Sequence, residues 1–216
     1  MNKCGLFEVI LLLGPTAAGK TPLGDMISTE KIAGERCVHF DFGNELRKIA
    51  LAGEGSKALS EDEVRYIRGV LEEGLLLENE KFYIAKKVFS DFTKKQRAGH
   101  NDVIILNGLP RHIGQARDMT DMVNVRTVAE LKCSDDNVLC RISENKGGDR
   151  SERLDDDSDL VMKKIETYNE RTRLLVDFYK KRGADMIEVE VTPDTDTRTL
   201  YKEFVEKYRS LHMNAQ

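Results

Sequence analysis

The chain has 216 residues, 33% of them charged and 40% hydrophobic, with a formal net charge of −4 and a sequence pI near 5.7. That composition supplies enough apolar residues for a sizeable core and excludes a disordered chain. The acidic balance argues against a nucleic-acid-binding surface, which carries a basic domain, and no apolar stretch approaches the roughly 20 residues of a membrane helix. Four cysteines, Cys4, Cys37, Cys133 and Cys140, form no C-x-x-C pair, so a zinc knuckle is not indicated and reduced thiols in a cytoplasmic protein are expected.

The apolar run Phe7–Leu13 predicts a buried parallel strand. Directly after it stands Gly14-Pro15-Thr16-Ala17-Ala18-Gly19-Lys20-Thr21, and a helix is expected over Pro22–Ser28. Strand, Gly-x-x-x-x-Gly-Lys-Thr and helix together make a phosphate loop. Its glycines turn successive backbone N–H groups inward, and the helix N-terminus adds partial positive charge. Lys20 supplies a cation for β/γ-phosphates, and the Thr21 hydroxyl is placed to meet Mg2+.

Cys37–Asp41 reads as a second short strand, and Asn44–Leu51 as a helix with Leu46, Ile49 and Ala50 on one face. Residues 52–99 carry no strand signal. Ser60 and Glu63 form a capping box ahead of Val64, Ile67 and Leu71, and Gly74 stops that helix. Asn79 is expected to cap the next one, whose inner stripe is Phe82, Ala85, Val88, Phe89 and Phe92. The region is a helical insertion between two strands. Asp102–Leu106 is a third strand, and Asn107-Gly108-Leu109-Pro110-Arg111 lies at its carboxyl end, where ligands collect in open α/β sheets. A helix begun after Pro110 puts Arg111 and Gln115 on one face.

Val125–Leu131 is a fourth strand, followed by a helix capped at Ser134 that carries Val138, Leu139 and Ile142. Asn145–Glu152 has two glycines and no apolar residue, and reads as a mobile loop. Arg141, Arg150 and Arg153 flank it, either as a solvated charge run or as an arginine-bearing lid. Ser158–Lys181 reads as one long helix, Asp185–Val191 as a fifth strand, and Thr197–Leu211 as a closing amphipathic helix. Strands alternating with helices imply a parallel sheet covered on both faces.

These pieces, in this order, resemble the adenylate kinase family of nucleoside monophosphate kinases over essentially the whole chain. The resemblance rests on the phosphate loop and on Gly43…Leu46-Arg47. It rests also on Gly74-Leu75-Leu76-Leu77 before Glu78-Asn79-Glu80, on Asn107-Gly108-Leu109-Pro110-Arg111…Gln115, and on Arg141-Ile142 with Arg153-Leu154-Asp155-Asp156. It implies a P-loop α/β/α fold of three layers with a five-stranded parallel sheet. The core would be residues 1–42, 100–141 and 156–216, the monophosphate-binding lobe 43–99, and a short lid 142–155. It implies an Mg2+-dependent transfer between ATP and AMP by a monomer.

The resemblance also implies roles. Gly14 to Thr21 would hold ATP, and Arg141 would cover its adenine. Phe42, Gly43, Arg47, Leu77, Gly108, Arg111 and Gln115 would form the monophosphate pocket, with Leu77 offering backbone to the base and Gln115 reading it. Arg111, Arg141, Arg153 and Lys164 would serve the transferring phosphoryl with Lys20, and Thr21 the metal. Phe42 stands where a threonine is usual, which leaves UMP, CMP or another small metabolite open as acceptor. Asn107 replaces a metal-associated aspartate, Asn145 a lid arginine and Lys164 another arginine. Those three leave open a nucleotide-binding module with little catalysis.

Overall fold

In the computed structural model, which describes residues 5–51, 59–145 and 158–213, five strands form one sheet. They are β1 (Phe7–Leu13), β2 (Cys37–Asp41), β3 (Val103–Asn107), β4 (Val123–Lys132) and β5 (Asp185–Glu190). All pairs are parallel and the order is β2-β3-β1-β4-β5, so the phosphate loop leaves the central strand. The helices are α1 (Lys20–Glu30), α2 (Phe42–Leu51), α3 (Glu61–Glu72), α4 (Phe82–Lys95), α5 (Ile113–Asp118), α6 (Asp135–Ser143), α7 (Ser158–Thr167), α8 (Leu174–Lys180) and α9 (Thr197–Met213).

The continuous apolar runs of the strands follow from burial on both faces. On one face Val9, Leu11, Leu13, Phe40, Ile104 and Val128 join a core with Leu46, Ile67, Phe89, Phe92 and Leu175 from α2, α3, α4 and α8. On the other, Ile10, Leu12, Ile105, Ala129 and Val189 meet Leu23 and Ile27 of α1 and Leu200, Phe204 and Tyr208 of α9. Helix, sheet and helix make the three layers.

The phenylalanine stripe of α4 is core, as its spacing suggests. Phe40 lies edge-on to Phe89 and Phe92, with ring centroids 5.2 Å and 4.9 Å away. α4 is thus fastened to the sheet, while α2 and α3 contribute Leu46, Arg47, Val70 and Leu71 to the side of a cleft. The capping box is present at α3: Ser60 N donates to Glu63 Oε2 at 2.7 Å, and Glu63 N to Ser60 Oγ at 3.3 Å. Ser134 caps α6 through Asn137 N.

Three local expectations change. The helix expected directly after Pro110 begins at Ile113, capped by His112, so Arg111 precedes it and does not share its face with Gln115. Asn79 opens a 3-10 turn, Asn79–Lys81, and α4 begins after it without a side-chain cap. The single helix expected over 158–181 is interrupted by a π turn at Tyr168–Thr172, where Arg173 N donates to Tyr168 O at 2.9 Å. One extra residue in the turn re-aims the side chains around it, and Tyr168 and Thr172 both reach the cleft lining.

Candidate phosphoryl-transfer site

The cleft lies at the carboxyl ends of the strands, where the order reverses about β1, the position that binds ligands in open parallel sheets. Its floor is the loop after β1. Gly14 has φ +154, and a Cβ there would sit 2.8 Å from Leu131 O, so a side chain has no room. Gly19 caps α1 in the left-handed region at φ 91 and presents the helix N-terminus to the cleft. The Lys20 ammonium donates to Gly14 O at 2.8 Å and Pro15 O at 2.5 Å, holding the lysine over the loop.

Beside the loop, three strand and helix ends converge. Thr21 Oγ1 donates to Asp41 Oδ2 at 2.5 Å. Asn107 Nδ2 donates to the same oxygen at 2.8 Å and to Thr21 Oγ1 at 3.1 Å. Asp41 Oδ1 accepts from Asn44 N at 2.9 Å, which caps α2. Burial pushes the Asp41 carboxyl up, but the Thr21 and Asn44 hydrogen bonds and the His39 and Arg47 charges outweigh it, leaving it below the ordinary carboxylate range. Hydroxyl and carboxylate oxygens are the donors a hard divalent cation takes, and Mg2+ needs only one or two of them when phosphates supply the rest. Among the described residues no three His, Cys, Asp or Glu side chains form a cage. The donor set suits a cation that arrives with a nucleotide.

The opposite wall carries Phe42, Gly43, Arg47, Leu77, Gly108, Arg111 and Gln115, all lining the same cleft as Lys20 and Thr21. Arg111 is positioned through its backbone: its N–H donates to Gln115 Oε1 at 2.7 Å, and its carbonyl accepts from Thr172 Oγ1 at 2.8 Å. Gln115 Nε2 donates to Leu77 O at 2.7 Å, so the two groups expected to meet a base meet each other here. His112 sits behind them, accepting from Gln115 N at its Nδ1 and approaching Leu77 O with Nε2 at 3.4 Å, an arrangement for the neutral ring. Burial lowers the His112 pKa and favours that form.

Lys164 of α7 reaches the cleft from a third side. Arg171 pairs bidentately with Glu78 at 2.6 Å and 2.9 Å, and Lys163 Nζ donates to Glu73 O at 2.9 Å. These contacts tie the α7–α8 segment to the loop between α3 and α4.

Lys20, Arg47, Arg111 and Lys164 therefore share one cleft. Arg141 does not join them. It is 3% exposed, and its guanidinium donates to Ala17 O, Thr192 O and Thr195 O, each at 2.8 Å. It braces the loop from behind, joining α6, the phosphate loop and the turn after β5. Pro15 and Ala18 belong to the loop but do not line the cleft, whereas Thr16 and Ala17 do. Arg150, Arg153 and most of the span 142–155 lie outside the described residues. Cys37, Cys133 and Cys140 are free thiols, and burial raises that of Cys133 to about 11.

Sequence reasoning missed Asp41. The signal was available: Asp41 ends a parallel strand at the same sheet edge that singled out Asn107 and Arg111. It also missed Arg171–Glu78, a pair 93 positions apart in sequence that no local spacing can report.

No protein-family model matches the chain. Among curated proteins it is similar to an adenylate kinase of Treponema denticola, 25% identical over 213 residues covering 86% of this chain and 93% of that protein. An adenylate kinase of Bartonella tribocorum is 28% identical over 186 residues, covering 81% of this chain and 87% of the relative. One of Prochlorococcus marinus is 25% identical over 194 residues, covering 87% and 92%. Among solved structures, a gluconokinase from Sinorhizobium meliloti 1021 aligns with a TM-score of 0.53 over 98% of this chain and 95% of that one, at 11% identity. The sequence is similar to adenylate kinases over most of its length, and the fold is shared with the gluconokinase.

Proposed function

We propose that this ATP-dependent phosphotransferase, a P-loop nucleotide kinase, moves the γ-phosphoryl group of ATP reversibly onto AMP, giving two ADP. The observation that carries the reading is that Lys20 with its loop, and Arg47, Arg111 and Lys164 from three other segments, line one cleft. Two polyanions repel each other in water. Cations converging from both sides hold them in line and neutralise the charge that spreads over the transferring group, and the transfer needs no nucleophilic side chain.

The loop amides and Lys20 take the ATP phosphates. Arg47 and Arg111 take the acceptor's phosphate, each offering the planar fork that matches its oxygens. Gly43, Gly108 and Phe42 shape the pocket, and Leu77 and Gln115 exchange their mutual hydrogen bond for bonds to the base. Lys164 adds positive charge at the point of transfer, and Arg141 keeps the loop in place for the adenine. Thr21 would hold Mg2+, which would offset the charge of the phosphates when it enters with ATP. Residues 43–99 act as the acceptor-binding lobe around a fixed α4, residues 142–155 as a lid bearing Arg153, and the rest as core. Closure keeps water from the phosphoryl group. On this reading the protein works as a monomer in the cytoplasm.

A second reading gives the acceptor pocket to CMP, UMP or a smaller phosphorylated metabolite. Phe42 in the pocket and the Gln115–Leu77 bond favour it. ADP release measured with ATP and each of AMP, CMP, UMP and GMP decides between them. The first reading expects AMP to give the highest kcat/KM. Turnover with CMP or UMP and none with AMP would reject it, and ATP binding without transfer to any of the four would leave a binding module.

A further inference from the structure

We propose that Asp41 is the carboxylate that organises the nucleotide-bound divalent cation beside Thr21, supplied by β2 in place of the one that β3 lacks. The inference rests on the phosphotransfer reading above and adds a residue to it. Asp41 and Asn107 are directly opposite one another in the parallel pair β2–β3, each the last residue of its strand. Adjacent strands lie about 4.8 Å apart. A carboxylate moved one strand over is displaced by a single strand spacing along the sheet edge and still faces the loop hydroxyl.

The hydrogen bonds divide the two Asp41 oxygens between two tasks. Oδ1 is used by Asn44 N and caps α2. Oδ2 is not needed for the cap and faces Thr21 and Asn107. By accepting the Thr21 O–H at 2.5 Å, it points the lone pairs of that hydroxyl away from itself, one of them accepting from Asn107 Nδ2 at 3.1 Å, and Thr21 and Asp41 both line the cleft.

The same geometry accounts for the amide at position 107. A second carboxylate there would stand within 2.8 Å of Oδ2. Like charges that close cannot both ionise at ordinary cost, and one would hold a proton. Asn107 instead donates, so it stabilises the ionised form of Asp41. The amide on β3 and the carboxylate on β2 are two halves of one exchange, and Asn107 does not mark a lost site.

The test uses Mn2+ as a paramagnetic probe with a non-hydrolysable ATP analogue and the purified full chain. Free Mn2+ is followed by electron paramagnetic resonance for the wild type, Asp41→Asn, Asp41→Ser, and the double exchange Asp41→Asn with Asn107→Asp. Asn and Ser both cap helices well, so thermal melts should move little. Both single variants should weaken Mn2+ in the ternary complex by about 10-fold or more, the range for outer-shell partners of metal ligands. Affinity for the metal-free analogue should not fall. The double exchange should recover most of the Mn2+ affinity, which a capping role alone does not predict. Variants that hold Mn2+ as the wild type does, with or without a lower melting temperature, would overturn the assignment alone. A wild type that forms no Mn2+–nucleotide complex would overturn the phosphotransfer reading and this assignment with it.

Discussion

Lys20 carries the largest burden placed on a single side chain. Its ammonium is held at the loop by Gly14 O and Pro15 O, a position that nucleotide phosphates would contest. Removing one preorganised electrostatic donor from a water-excluded site costs about 10²–10³ in rate. Lys20→Ala should therefore lose at least that much in kcat/KM for ATP while its melting temperature stays close to the wild type. Activity within a few fold of wild type would remove the assigned role. At this scale the phosphate loop was legible because its spacing is local and its flanks confirm it. Asp41 was not legible. Its meaning depends on Thr21 and Asn107, 20 and 66 positions away, and on a strand pairing that brings the three together. Arg141 shows the converse: its motif was read, but the fold turns its guanidinium onto three carbonyls behind the loop.

Among the elements, α4 decides how much of the proposed acceptor lobe can move. Its inner face is locked to the sheet through Phe40, Phe89 and Phe92, all buried. Phe40→Ala should cost about 3–5 kcal/mol, the range for emptying a buried phenylalanine site, seen as a lower denaturant midpoint with an unchanged slope. A loss under about 1 kcal/mol would mean that α4 is not docked as described. The apolar spacing of α4 gave its inner face in advance, because periodicity reports burial directly. The π turn at Tyr168–Thr172 left no such trace. One inserted residue shifts the register of the helix without breaking the apolar pattern around it, yet it delivers Tyr168 and Thr172 to the cleft.

The whole molecule carries a pH signature away from the cleft chemistry. Glu130 of β4 is 5% exposed, and burial raises its pKa above 4.5, with Lys132 opposing and Glu188 reinforcing the shift. An acid whose folded pKa is raised penalises the folded state once it ionises. The penalty is absent below 4.5, grows as pH rises through the folded value, and is complete above it. Glu130→Gln should raise the melting temperature at neutral pH, with the gain shrinking as pH falls through the folded value and gone below 4.5. An equal or lower melting temperature at neutral pH would contradict the stated environment. The layered parallel sheet was legible because alternating strand and helix patterns over 216 residues leave few arrangements. The long-range ties, Arg171–Glu78 and Lys163–Glu73, were not, since surface charges at such separations carry no pattern.

On the proposed reading, donor and acceptor phosphates occupy one cleft between Lys20 and the arginines facing it. Calorimetric titration with diadenosine pentaphosphate, which joins two adenosines through one phosphate chain, tests it most directly. One ligand should bind per chain, displacing ATP and AMP together, and binding should weaken in both Lys20→Ala and Arg111→Ala. Two ligands per chain, or displacement of ATP with AMP left bound, would contradict it.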